Sequence, residues 1–144
     1  MKEEFINIWL KSGILRKRHP DKEKIKSLIG SSQKIAGIIK TFHLNEDNAT
    51  IIFREIYESI RQLGEAKLWL LGYEPTNHEI SLDALKDIDI KDKILFNKLD
   101  RFKRIRHDAN YRGIMVLSAQ AEEIVDFWNK CCMEIVSVLS KEIQ

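Results

Sequence analysis

An all-α protein is what this sequence predicts, on three observations. Apolar residues recur at helical spacings through nearly the whole length. Only six Gly and two Pro interrupt its 144 residues. No stretch alternates apolar and polar side chains as a half-buried strand does. With 44% hydrophobic and 32% charged residues, the composition suits long amphipathic helices around one core, and the length suffices to bury that core without disulfides or a structural metal. The expected organisation is a single domain over 1–144, with an N-terminal extension helix at 1–20 and an antiparallel helical bundle of four to five main helices at 21–144.

The first helix is expected from about Lys2 to Arg18, with Phe5, Ile8, Trp9 and Leu15 on its apolar side. His19-Pro20 then interrupts it, because the residue before proline is pushed out of the helical region. A second helix runs from about Asp21 to Phe42 on Ile25, Leu28, Ile29, Ile35, Ile38 and Ile39. Gly30 and Gly37 inside it read as places of close helix packing, since IGSSQK lacks the G-x-x-x-x-G-K spacing of a phosphate loop. Asn45 is a suitable N-cap, with Glu46 and Asp47 at the positive end of the helix dipole. The long helix it starts reaches about Leu71 on Ile52, Ile56, Ile60, Leu63, Ala66 and Leu70, and Gly72 stops it. In the connector GYEPTNHE, Thr76 and Glu79 have capping-box spacing and begin a short helix through Ile80, Leu82 and Leu85. His78 there reads as a capping or packing residue before a ligand. Another helix starts near Asp89 and carries Leu95, Leu99, Phe102, Ile105 and Ala109. The last runs from about Met115 to Glu142 on Leu117, Ala121, Ile124, Trp128, Cys131, Ile135 and Leu139.

Cys131 and Cys132 are neighbours without C-x-x-C spacing, so buried thiols in a reducing compartment are expected. No segment approaches the roughly 18 consecutive apolar residues of a membrane span, and MKEEFINIWLK lacks the basic-then-apolar order of a secretion signal. The expectation is a cytoplasmic protein with no membrane partner. No H-x-x-x-H, C-x-x-C or clustered carboxylates call for a metal, and no cofactor is expected. A DNA-binding helix-turn-helix is disfavoured, because no short helix pair presents a basic recognition helix after a tight turn.

The net charge of +2 is unevenly spread. Lys11 to Lys26 holds seven Lys/Arg against Asp21 and Glu23, a balance of +5, and Lys98 to Arg112 holds six against Asp100 and Asp108, a balance of +4, which leaves −7 for the rest. Brought together, the two segments would form a surface for an anionic ligand. Apart, each reads as a solvated face.

Chemistry concentrates in Arg101 to Gly113, RFKRIRHDANYRG. At about 100° per residue, Leu95, Leu99, Phe102, Ile105 and Ala109 fall in a sector roughly 120° wide, with Arg106 inside it and Asn110 on its edge. An arginine in an apolar stripe costs on the order of several kcal/mol unless it is paired or faces a ligand. Three causes would explain it: a salt bridge to an acid such as Glu55, Glu58 or Glu65, a polar cleft at a subunit interface, or an anion site. Arg101, Lys103, Arg104 and Arg112 would add positive potential for RNA or a phosphate. His107 and Tyr111 would share a face about 140° from Arg106 if the helix continued. Gly113 and the lost apolar rhythm predict instead that it ends near His107 or Asp108, with a loop folding Tyr111 back toward Arg106.

Two segments in order, REIYESIRQLGEAKLWLLGYEPTNHE and LDRFKRIRHDANYRG, carry a family resemblance over about Asp21 to Glu142. The chain resembles the HEPN family (higher eukaryotes and prokaryotes nucleotide-binding), in particular its short archaeal-type members. The resemblance implies an up-and-down helical bundle, a homodimer with a composite cleft between subunits, and RNA or nucleotide as ligand. It further implies a metal-independent endoribonuclease, often a toxin paired with a minimal nucleotidyltransferase as antitoxin. The family motif is an arginine, usually followed by a polar residue, then a histidine four to six residues after the arginine. Arg106 matches the arginine and His107 the polar position, while Tyr111 stands where the histidine is expected; an alternative register pairs Arg101 with His107. Catalytic candidates are therefore Arg106, His107, Asn110 and Tyr111. A free tyrosine has a pKa of about 10, which makes Tyr111 a poor general base. His107 has the suitable pKa range. The competing reading is a non-catalytic helical domain that docks a nucleotidyltransferase or another partner.

Overall fold

In the computed structural model, which describes residues 1–143, the chain is mostly helical with one short ribbon. It runs α1 (Glu3–Ser12), β1 (Leu15–Lys17), α2 (Lys22–Ile39), α3 (Ala49–Leu70), β2 (Tyr73–Pro75), α4 (Ile80–Leu85), α5 (Leu99–Tyr111), α6 (Ser118–Phe127) and α7 (Met133–Ile143). A 3-10 turn at Lys93–Lys98 leads into α5, and a π-helical turn at Trp128–Cys132 joins α6 to α7.

The longest apolar stripe of the sequence becomes the centre. Fifteen of the 22 residues of α3 are buried, which is burial on nearly every side, and α2, α4, α5, α6 and α7 all pack on it. Phe53, Phe102 and Phe127 clasp α3, α5 and α6 together edge to face, with ring centres 6.1 and 5.5 Å apart. Such geometry adds about 0.5–1.5 kcal/mol per pair beyond area burial. This clasp sets α5 against α3 and so decides what Arg106 faces.

The first helix is shorter than its apolar pattern suggests. Gly13, at φ +80°, ends α1 after Ser12 with its N–H on the Leu10 carbonyl, and the next residues pair as a strand. β1 and β2 are antiparallel, Leu15 opposite Pro75 and Lys17 opposite Tyr73. Leu15, counted above as a helix residue, is buried with Leu68, Ile80 and Ala84 in a second apolar cluster beneath the ribbon. Three-residue strands are too short for alternation to register in the sequence.

Two cap assignments and one helix start also shift. Asn45 does not start α3; its side chain accepts the N–H groups of Asp47 and Asn48, and Asn48 accepts that of Asn45 in return. That closed turn delays the helix to Ala49. Thr76 does not cap α4, because its hydroxyl donates to the Gly13 carbonyl at 2.6 Å and its backbone extends the ribbon. Asn77 takes the local role, accepting the Glu79 N–H at 2.9 Å. The last helix begins at Ser118, where the Gln120 side chain accepts the Leu117 N–H. Cys131 and Cys132 are both buried, as expected, and lie within the π-helical turn.

The helix expected from Asp89 opens as the 3-10 turn, and α5 continues through Tyr111 where an end at His107 or Asp108 was predicted. The reversal falls at Gly113, φ +66°. Apolar rhythm fades after Ala109 because the last turn of α5 emerges into solvent while its hydrogen bonds continue.

Close packing at glycine occurs on α3, not on α2. A Cβ on Gly30 or Gly37 would meet nothing within 4 Å, whereas one on Gly64 would sit 1.8 Å from the Ser81 carbonyl oxygen and 2.5 Å from its carbon. The backbones of α3 and α4 touch there. Gly64→Ala is therefore expected to destabilise the protein by about 2–3 kcal/mol through overpacking, while Gly30→Ala should stabilise it by about 0.5–1 kcal/mol through helix propensity. Urea unfolding of the two variants checks both signs.

Candidate functional site

Arg106 projects from the half-buried side of α5 toward α3, and its guanidinium carbon lies 5.6 Å from the ring centre of Tyr57. Within 4.0 Å it has no carboxylate among the described residues. The cation is held by an aromatic face, an attraction of about 0.5–2 kcal/mol that leaves its N–H donors unspent. Tyr57 is 2% exposed, and its hydroxyl makes no hydrogen bond among the described residues. Burial pushes the phenol pKa up to about 12, against the pull of Arg106; Glu79 and Glu58 push it the same way as burial, and Arg61 opposes them.

One helical turn further along α3, Arg61 is only 7% exposed and has every partner that Arg106 lacks. Its Nε and Nη2 grip Glu58 at 2.7–3.0 Å, and its Nη1 donates to Glu65 at 2.8 Å. Burial works against its charge, but the hydrogen bonds it donates to Glu58 and Glu65 outweigh that and raise its pKa. Nη1 also lies 3.1 Å from Nδ1 of His78. Since arginine only donates, Nδ1 is the bare nitrogen of that ring. His78 is a packing residue against Arg61 and caps no helix. Two of the three acids considered for Arg106, Glu58 and Glu65, are thus bound to a different arginine.

The other face of α5 borders an open groove of about 420 Å³ lined by Glu79, Lys103, Arg104, His107, Asp108 and Arg112. Lys103 is tied to Asp83 on α4 at 2.9 Å, and Arg112 lies 3.7 Å from Asp108. Arg101 pairs with Glu123 on α6 at 3.0 Å. Arg104 has no acidic partner among the described residues, so between Arg101 and Arg112 the cations left uncommitted are Arg104 and Arg106.

The His107 and Tyr111 rings touch at a tilt of 49°, with centres 4.9 Å apart, and Tyr111 is 68% exposed. The expected return of Tyr111 to Arg106 does not occur. With α5 intact, Tyr111 stays about 140° around the helix from Arg106, and Asn110 about 40°. Arg106 and Tyr111 therefore do not share one site within a single copy of the chain. The tyrosine at Arg106 is Tyr57. Sequence reasoning passed over Tyr57 and Arg61, although the signal was the one that singled out Arg106: a polar group on an apolar helix.

Around the end of α5 the surface turns apolar. Ile51, Tyr111, Ile114, Met115 and Leu117 are exposed, and the Thr50 hydroxyl, accepting the Val116 N–H at 3.0 Å, fixes the loop that carries three of them to α3. The first basic segment lies elsewhere. Arg18 bonds to Gly72 beyond the C-terminal end of α3, whereas Arg54 near its start donates to the Ala109 carbonyl of α5. Those two contact points, at Arg54 and Gly72, lie about 25 Å apart along α3. Among the described residues no three His, Cys, Asp or Glu side chains gather as a metal site would need, and no helix is long and apolar enough to cross a membrane.

Comparison of the chain with family models, with curated proteins and with solved structures returns no match.

The buried phenol gives a direct check of this geometry. Tyr57 should ionise near pH 12 in a spectrophotometric titration, and Tyr57→Phe should remove that step. Because the folded pKa is raised, the stability Tyr57 contributes is intact below the unfolded value of about 10 and is lost as pH climbs toward the folded value of about 12.

Proposed function

We propose that this protein is a HEPN-type RNA-binding protein that engages phosphate through Arg106, in a cleft completed by a second copy of the chain. The observation that carries the reading is Arg106 itself: a half-buried guanidinium fixed over Tyr57 with no carboxylate beside it among the described residues. A planar fork of donors in that state suits a phosphate oxygen pair, and Arg104 adds positive potential nearby. Asn110, about 40° from Arg106 around α5, would orient a phosphate oxygen. The exposed apolar surface from Tyr111 to Leu117 adjoins this segment and is what a second copy would cover. The up-and-down bundle of the resemblance accords with α3 packed among α2, α4, α5, α6 and α7.

Cleavage of the bound RNA is the part of this reading that depends most on the dimer. Attack by a 2′-hydroxyl on phosphorus forms the O2′–P bond and breaks the P–O5′ bond, so one group must take the hydroxyl proton and another must protonate the leaving oxygen. Within one copy, the hydroxyl on the ring beneath Arg106 is that of Tyr57, held neutral by burial, and it is no base. His107 and Tyr111 look outward from α5. They reach a phosphate on Arg106 only if the two copies face each other across the cleft, Arg106 of one stabilising the charge and His107 of the other moving the proton. In the second reading the same apolar surface docks a minimal nucleotidyltransferase or another helical partner, and Arg106 only holds that contact.

Fluorescence anisotropy with a labelled oligouridylate separates the two. Arg106→Ala should weaken binding by about 10- to 100-fold, the worth of a charged hydrogen bond of about 1.5–3 kcal/mol, and should lower the salt dependence by about one phosphate contact. Light scattering should give a dimer that Arg106→Ala leaves intact and Met115→Asp disrupts. A monomer with no salt-sensitive RNA binding would remove the reading, and RNA cleavage in chelator, lost in His107→Ala, would extend it to a nuclease.

A further inference from the structure

Two arginines flank Tyr57, one neutralised and one not. Arg61 holds Glu58 with both Nε and Nη2, and Glu58 is the residue next to Tyr57 on α3, whose ring carries Arg106. We infer that Arg61 is a positioning residue for the anion site: by gripping Glu58 it keeps that carboxylate from capturing Arg106, so that the Arg106 guanidinium stays available to phosphate. The inference rests on the reading of Arg106 as a phosphate-binding group.

Glu58 has the freedom to do this. Its side chain is 45% exposed, against 11% for Glu65, and among the described residues its ion pair is with Arg61. Arg106 in turn has no acid of its own within its helix, since the residues three and four away are Phe102, Lys103, Ala109 and Asn110. Glu58 directly follows Tyr57 on α3, and Arg106 lies over the Tyr57 ring, so the carboxylate and the guanidinium approach the same turn of that helix. A carboxylate tethered there would compete with dissolved phosphate at an effective concentration of about millimolar or more. Binding of a phosphate would then require breaking an internal ion pair. Glu65 plays a different part: it is nearly buried and satisfies the other side of Arg61, so it holds Arg61 in place when Glu58 is neutralised.

Four proteins test this with the labelled oligouridylate: wild type, Arg61→Gln, Glu58→Gln and the double variant, each with its melting temperature. Arg61→Gln should bind about ten-fold more weakly, the loss expected when one charged hydrogen bond is withdrawn. Glu58→Gln should bind like wild type, and the double variant should recover to within about three-fold of it, while melting no higher than Arg61→Gln. A purely structural Arg61 gives the opposite pattern, a double variant as weak as the single. Should Arg61→Gln fail to fold, Arg61→Lys replaces it; a single ammonium cannot fork onto both oxygens, so partial weakening that Glu58→Gln reverses is expected. Absence of rescue in either series, or wild-type binding by Arg61→Gln where Arg106→Ala is weak, overturns the inference. Wild-type binding by Arg106→Ala removes the phosphate reading beneath it, a result separable from the other two.

Discussion

A helix buried on nearly every side cannot carry unpaired charge, and that constraint on α3 organises the rest of the molecule. Arg61 and Glu65 sit where water does not reach them, 7% and 9% exposed. Leaving either unpaired would cost several kcal/mol. The fold meets the constraint inside the helix, with acids three residues before and four residues after Arg61. His78, from the segment entering α4, takes the remaining approach to the guanidinium. The charged row along α3 therefore also anchors the connector between β2 and α4, and with it the groove wall formed by Glu79.

Packing then decides which residues see that row. The Phe53, Phe102 and Phe127 clasp brings α5 onto α3 at a fixed rotation, and Arg106 lands on Tyr57. Lys86 bonds to Asp83 and Asp100, and Lys103 bonds to Asp83, so the start of α5 is tied to α4 as well. The hydrogen bond from Lys86 lowers the Asp100 pKa, with Lys103 and Arg104 acting the same way. These exposed pairs contribute little energy each. What they determine is commitment: among the described residues Lys103, Arg101 and Arg112 have acids within 4.0 Å, and Arg104 does not.

Helix identity was legible in the sequence wherever an apolar stripe ran for several turns, as in α2, α3 and α7. Ends were less so. α1 stops six residues before Arg18 because Gly13 takes a left-handed turn and Leu15 is claimed by a strand partner 60 residues away, a contact that no local pattern encodes. The glycines were read the wrong way round for a related reason. Gly30 and Gly37 look outward, and Gly64, which passes within touching distance of Ser81, lay unremarked in a strong helix. What stands opposite a residue is tertiary information. The same limit hid Tyr57, whose role depends on which residue of α5 arrives over its ring.

Arg106 was visible because its own helix gives it nothing to pair with, and the contrast with Arg61 shows how far that rule extends. Both arginines sit on apolar stripes. Arg61 has Glu58 and Glu65 at helical spacing; Arg106 has Phe102, Lys103, Ala109 and Asn110. An arginine of the first kind is closed by its own helix before tertiary structure forms. One of the second kind must find its partner elsewhere, and here Glu58 and Glu65 on the facing helix are already held by Arg61. An aromatic face fills the gap, because cation–π attraction steadies the guanidinium without using a single N–H donor. An ion pair at the same place would have been stronger and would have closed the site. The weaker contact leaves the donors open to an incoming anion.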